Sequence, residues 1–232
     1  PAWITREPIA KQDGGVVNYV VCNNAATLVY LANQLSLTQH IWLSRIDKLN
    51  DPDKLIFDLD PSAKKIDFSL VRTKAKQIKT VLEELGLVPF VMTTGSRGLH
   101  VVVPLKRTHD FDTVRAFARD VAEYLVRQDP KNLTIEMRKE KRGTKIFIDY
   151  LRNAYGQTGV APYSVRAKEG APVATPISWP EIDKSSLRSD CYTIKNIFAR
   201  LETVGDPWQG MHRSARSLTS AQKKIQILLG EK

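Results

Sequence analysis

Three stretches of this chain place acids, cations and hydroxyls at spacings that suit phosphate chemistry. The first is Leu55-Ile56-Phe57-Asp58-Leu59-Asp60-Pro61, an apolar run that ends in two acids one residue apart. In a strand, residues i and i+2 point the same way, so Ile56, Asp58 and Asp60 share one face and Leu55, Phe57 and Leu59 the other. Pro61 cannot donate to a central ladder, so the strand is expected to end there. Two carboxylates side by side repel each other, and a hard divalent cation between them relieves the repulsion because such ions take oxygen ligands. An acidic strand-to-turn junction without an ion is the plainer alternative, and the Asp58/Asp60 pair alone does not separate the two.

The second stretch, Thr93-Thr94-Gly95-Ser96-Arg97-Gly98-Leu99-His100, connects two strand-like runs. Its two glycines permit close backbone approach, and backbone N–H groups, hydroxyls such as those of Thr94 and Ser96, and Arg97 can cradle a phosphate. His100 alternates away from Leu99, Val101 and Val103 and so need not belong to the core. The third stretch, Lys145-Ile146-Phe147-Ile148-Asp149-Tyr150-Leu151-Arg152-Asn153, is again an apolar strand ending in an acid, and an Asp that merely caps a turn fits it equally well in isolation. Taken with Asp58 and Asp60, however, Asp149 completes three carboxylates that could hold two divalent ions against a triphosphate.

The elements around these stretches follow from periodicity. Asn24–Leu35 reads as a helix capped by Asn23 or Asn24, with Ala25, Leu28, Val29, Ala32 and Leu35 on one face. Ser69–Leu85 reads as a second helix, ended by Gly86. A third covers Thr113–Arg127, with Val114, Phe117, Ala118, Val121 and Leu125 inward. Val88–Thr93, Leu99–Leu105 and Lys145–Tyr150 read as strands, residues 161–180 with their four prolines as an extended loop, and Tyr192–Leu201 and Ala221–Leu229 as helices. Strands and helices mix with hairpin-like connections, which gives an α+β class.

The chain has 232 residues, 35 Lys and Arg against 25 Asp and Glu, and a net charge of +10. That excess, densest at Arg138-Lys139-Glu140-Lys141-Arg142, points to a polyanionic partner. No apolar run is long enough to span a bilayer, and no signal-peptide pattern opens the chain, so no membrane partner is expected. Two cysteines, Cys22 and Cys191, with no Cys/His cluster, argue against a zinc site or a disulfide framework and for a reducing cytoplasm. The chain opens on Pro1 rather than Met, which reads as a fragment or a trimmed chain.

With these stretches in view, the chain resembles the polymerase domain of bacterial ligase D, in the archaeo-eukaryotic primase superfamily. The resemblance rests on Trp42-Leu43-Ser44-Arg45, Phe57–Pro61, Thr94–Val101, Phe147–Asn153, Ala161–Arg166 and Gly170–Val173, in family order and spacing from Pro1 to about Glu181. It implies a primase-like core in which an RRM-like, mostly antiparallel sheet packs against a second β-rich layer, with helices outside and acids on the open sheet face. It implies that Asp58, Asp60 and Asp149 are the catalytic ligands of a two-metal site for Mn²⁺ or Mg²⁺. Thr94, His100, Arg97, Arg152 and Arg166 would contact the nucleotide, beside Ser96 of the same turn. Thr94 stands where the family more often has Ser. Domains of this type carry roughly 60 more residues before the point matching Pro1, so residues 1–232 read as a single catalytic domain lacking that stretch.

The implied activity is metal-dependent transfer of NTP or dNTP, with ribonucleotides preferred, to a 3′-hydroxyl at DNA primer-templates, gaps or break ends. Ku and a ligase domain are the implied partners, and the implied location is cytoplasmic and nucleoid-associated. Two alternatives remain. Asp58-Leu59-Asp60-Pro61-Ser62 also fits the D-x-D-x-[ST] start of a haloacid-dehalogenase-like phosphatase, but no later acid pair accompanies Asp149 or Asp206 as that chemistry requires. The other alternative is a truncated, non-catalytic nucleic-acid-binding module.

Overall fold

The computed structural model describes residues 1–11, 14–63 and 66–230. Along them the chain forms β1 (Arg6–Ala10), β2 (Val16–Val20), α1 (Ala25–Asn33), β3 (His40–Trp42), β4 (Lys54–Pro61), α2 (Phe68–Glu84), β5 (Phe90–Thr93) and β6 (Leu99–Pro104). It continues with α3 (Phe111–Gln128), β7 (Leu133–Thr134), β8 (Ile146–Asp149), β9 (Thr158–Val160), β10 (Thr175–Ile177), α4 (Ile197–Val204) and α5 (Thr219–Leu229). Six strands form one sheet in the order β10-β5-β6-β4-β8-β7, antiparallel except for β7 beside β8. Two ribbons, β1–β2 and β3–β9, complete a mixed α+β fold.

Alternation along β4 sorts the two faces of the sheet. Leu55, Phe57 and Leu59 are fully buried in the main core with Val71, Ile78 and Leu82 of α2, Val114, Phe117 and Val121 of α3, and Ile225 of α5. The helices therefore cover that face. Ile56 points the other way, into a smaller cluster with Leu43, Val102 and Phe111. The same face carries Asp58 and Asp60 onward into a cleft. Helices α2 and α3 begin on capping carboxylates: Asp67 accepts from the Ser69 N–H at 3.0 Å and Asp110 from the Thr113 N–H at 2.8 Å. Such caps satisfy first-turn donors that have no partner within the helix.

Three expectations from the sequence need correction. Helix α1 forms with Asn24 as its cap but ends at Asn33 rather than Leu35; its apolar stripe, Leu28 and Val29, is exposed, and Thr27 is its buried residue. Residues 161–180 are not wholly loop. Thr175–Ile177 pairs with β5 as the sheet's edge strand, where Pro176 is tolerated because one side of an edge strand has no ladder to donate to. The helix expected from Tyr192 starts at Ile197, because Thr193 and Asn196 close a local turn in which the Thr193 N–H donates to Asn196 Oδ1 at 2.7 Å.

Candidate active site

Strand register brings the three sequence stretches to one place. Asp58 lies opposite His100 of β6 on one side and opposite Asp149 of β8 on the other. His100 Nε2 is 3.5 Å from Asp58 Oδ2. Arg152 Nε lies between the two acids, 3.7 Å from Asp58 Oδ2 and 3.4 Å from Asp149 Oδ2. Arg152 is placed there by its neighbour. The buried Asn153 side chain accepts from the Ile56 N–H and donates to the Ile56 carbonyl, both at 2.8 Å. This amide continues the ladder where β8 stops, and it fixes the short helical turn Leu151–Asn153 against β4.

The connection Thr94–Gly98 forms the next wall. A Cβ on Gly98 would lie 2.0 Å from the Leu59 carbonyl oxygen, so only glycine lets this turn close against β4. The Thr94 hydroxyl donates to the Gly98 carbonyl at 3.1 Å, and Ser189 Oγ donates to the same carbonyl at 2.7 Å. Thr94 is thus bound up in bracing the turn. Arg166 Nη1 donates to the Thr94 carbonyl at 2.7 Å, and Lys168 Nζ donates to the Ser96 hydroxyl. These two cations rest on neutral oxygens, unlike those facing the acids.

Asp60 lines the same cleft but is drawn to other arginines. Arg97 Nη2 is 3.0 Å from its Oδ1, and Arg142 Nη1 is 3.9 Å from its Oδ2. Arg142 is itself fixed. Its guanidinium stacks 3.6 Å from the Phe147 ring and donates to the carbonyls of Glu136 at 2.7 Å and Met137 at 2.8 Å. Among the described residues no three His, Cys, Asp or Glu side chains gather as a ready metal site. Asp58 and Asp149 converge on a common cation, the Arg152 guanidinium, while Asp60 stands with Arg97 and Arg142.

All nine residues singled out in the sequence line one cleft of about 310 Å³, which is also bordered by His40, Arg142, Thr158 and Gly159. Arg142 belongs to the basic patch that the sequence marked for a polyanion, and the other three were not legible as site residues. His40 and Thr158 reach the cleft through pairing of β3 with β9, two strands more than a hundred residues apart, and nothing local marks them. Electrostatics divide the two facing acids. Burial alone would raise the Asp58 carboxyl, but His100, Arg152 and Arg166 outweigh it and hold Asp58 below the usual carboxylate range. Asp149 is raised by burial and by the Asp58 charge opposite, against the pull of Arg152. His40 is lowered, chiefly by burial and also by the nearby positive groups Arg166 and Arg152. The ring nitrogen Nδ1 of His100 is buried without a partner. The arrangement sets Arg166, whose partner is a neutral carbonyl, beside one carboxylate, Asp149, that is short of countercharge.

The family described as LigD, primase-polymerase domain, matches residues 1–208. The chain is 33% identical to the multifunctional non-homologous end joining protein LigD of Pseudomonas aeruginosa, over 87% of this chain and 24% of that protein. It is 31% identical to the bifunctional non-homologous end joining protein LigD of Bacillus subtilis, over 86% of this chain and 32% of that protein. The chain therefore spans about a quarter to a third of the length of these curated relatives. Among solved structures, the polymerase domain of Mycobacterium tuberculosis ligase D in complex with DNA superposes with a TM-score of 0.84 at 29% identity, covering 93% of this chain and 76% of that one.

Proposed function

This chain belongs to the LigD primase-polymerase family, and from that premise we propose that it is a nucleotidyltransferase of non-homologous end joining which extends a DNA 3′-hydroxyl from a nucleoside triphosphate. The observation that carries the reading is the Asp58–Asp149 pair, facing each other across adjacent strands in the cleft that also holds Arg166 and the Thr94–Gly98 turn. A transfer of this kind joins the 3′-oxygen to the α-phosphorus and breaks the bond to the β-phosphate, releasing pyrophosphate.

The donor set fits a hard divalent ion, since its ligating atoms are all carboxylate oxygens and Asp149 is held in a position where its charge is under-compensated. Asp58 and Asp149, with Asp60, would hold Mn²⁺ or Mg²⁺, which when bound supplies neutralisation of phosphate charge and activation of the attacking hydroxyl. The remaining roles belong to the chain's own groups. Arg166 and Lys168, which face neutral oxygens, take the triphosphate charge through forked and point-charge contacts respectively. The Ser96 and Arg97 backbone N–H groups at the tip of the Thr94–Gly98 turn and the Ser96 hydroxyl bind phosphate oxygens, and Thr94 keeps that turn in shape. His100, aligned with Asp58, and His40 add donors beside the same site. Filling of short gaps, preference for ribonucleotides and action beside Ku and a ligase complete the proposal, on the strength of family membership.

The test is incorporation of labelled nucleotide into a gapped primer-template with Mn²⁺ or Mg²⁺, run beside phosphate release from a small ester. Metal-dependent primer extension that is lost in Asp58→Ala supports the reading. Ester hydrolysis without extension overturns it in favour of a phosphatase.

A further inference from the structure

A second hollow lies beside the cleft, along the β3–β9 ribbon. Its volume is about 360 Å³, and it is lined by Ile9, Lys11 and Val17 of the β1–β2 ribbon, by Tyr19, and by Trp42 and Tyr155. The three aromatic rings form a continuous row. Tyr19 meets Trp42 edge-on with centroids 5.4 Å apart, and Trp42 meets Tyr155 edge-on at 5.2 Å. The β3–β9 ribbon joins this hollow to the cleft. Trp42 pairs with Thr158 in the ladder, and Thr158 and Gly159 border the cleft while Tyr155 and Gly156 border the hollow. The indole Nε1–H of Trp42 is buried and has no acceptor.

The row of aromatic rings beside Lys11 suits a flat occupant that carries negative charge. A nucleobase offers both a flat π-face for aromatic rings and carbonyl or ring-nitrogen acceptors on its edge. Lys11 supplies a cation for the attached phosphate, and the chain as a whole carries +10. Resting on the proposed nucleotidyltransferase function, the geometry points to this hollow as a site for an unpaired nucleobase of the DNA strand that passes the cleft. Aromatic stacking of this kind tolerates any base, so the site would bind without sequence preference.

The experiment is an affinity measurement by fluorescence anisotropy, using the whole chain and duplexes with a single-stranded overhang in which one abasic residue is walked along the overhang. At one overhang position the abasic residue should weaken binding about tenfold, while a blunt duplex should lack this response. Tyr155→Ala should lower the affinity of the intact overhang by a similar factor and flatten the scan, and Tyr155→Phe should retain both. Tyr19→Ala, at the exposed end of the row, should act like Tyr155→Ala to a smaller degree. A flat abasic scan with the unaltered protein overturns the inference, and because only the DNA is changed, that outcome does not depend on how a variant folds. A responsive scan that survives both Tyr155→Ala and Tyr19→Ala also overturns it. Failure to bind overhang DNA at all overturns the nucleotidyltransferase reading and the inference together, whereas a flat scan beside normal primer extension removes the inference alone.

Discussion

Asp58 and Asp149 face each other across one ladder yet sit in opposite electrostatic situations. Asp58 has His100 and two arginines in reach and is held ionised, whereas Asp149 bears the repulsion and is raised above the ordinary carboxyl range. A carboxyl raised on folding costs nothing while both states are protonated, and the cost grows as pH rises through the carboxyl range until it is complete at neutral pH. Asp149→Asn keeps an oxygen for the Leu151 N–H, which Asp149 Oδ1 accepts at 2.9 Å, and removes the charge. We expect this variant, melted at neutral pH with a chelator present, to gain a few degrees in Tm, on the order of the 2–4 °C per kcal/mol of chains this size. The gain should vanish below the carboxyl range, and a lower Tm at neutral pH would show that Arg152 more than compensates Asp149. The same variant should lose nucleotide addition by at least on the order of 10³-fold, as removal of several kcal/mol of transition-state stabilisation implies. Arg166 and Lys168 should separate from the acids in their effects. Arg166→Ala should raise the Kd for nucleoside triphosphate by about tenfold or more, as loss of a charge-assisted fork implies, and Lys168→Ala by less because Lys168 itself is exposed. Isothermal titration checks this, and equal affinity in Arg166→Ala would reduce Arg166 to a brace for the Thr94 carbonyl.

The strands and turns fix these side chains by close approach, and Gly98 is where the tolerance is smallest. A Cβ there would meet the Leu59 carbonyl oxygen at 2.0 Å, a backbone atom that cannot swing away. Gly98→Ala should therefore push β4 and the turn apart, at about 1–3 kcal/mol or more of stability, and lower nucleotide addition further than the melting shift alone explains. Urea denaturation beside a primer-extension rate checks both. Unchanged stability would mean that the turn has slack. Elements whose pattern is set by their own neighbours were legible in the sequence. Helices α2 and α3 emerged from 3.6-residue periodicity, and β4 from alternation that placed Asp58 and Asp60 together. Elements set by distant partners were not. The ribbon β3–β9 has three residues in each strand, and its meaning comes only from the pairing of His40 with Val160. Helix α1 shows that a stripe does not tell which way it faces: Leu28 and Val29 form one and are exposed. Asn153 carried no local signal either, since its role depends on a strand 97 residues earlier.

At the scale of the whole chain, the excess of ten positive charges governs encounter with a polyanion rather than the chemistry in the cleft. Within the cleft the arginines are largely matched to acids, as Arg97 and Arg142 are to Asp60 and Arg152 is to Asp58 and Asp149. Much of the excess is therefore available outside it. The segment Lys139–Lys141 is an exposed single turn, and Arg142, which closes it, is anchored by the carbonyls of Glu136 and Met137 and by the Phe147 ring. Its two lysines consequently project from a rigid base close to Asp60. DNA binding should weaken linearly in log K against log salt, because each phosphate contact releases condensed counterions. Replacing Lys139 and Lys141 together by Gln removes up to two such contacts and should make the slope shallower by about 1–2 while leaving the Tm unchanged. The measurement is a titration of one duplex at four salt concentrations with both proteins. Parallel slopes would place the DNA path away from this turn, and the exposed cations at the Thr94–Gly98 turn, Arg97 and Lys168, would then be the next to neutralise.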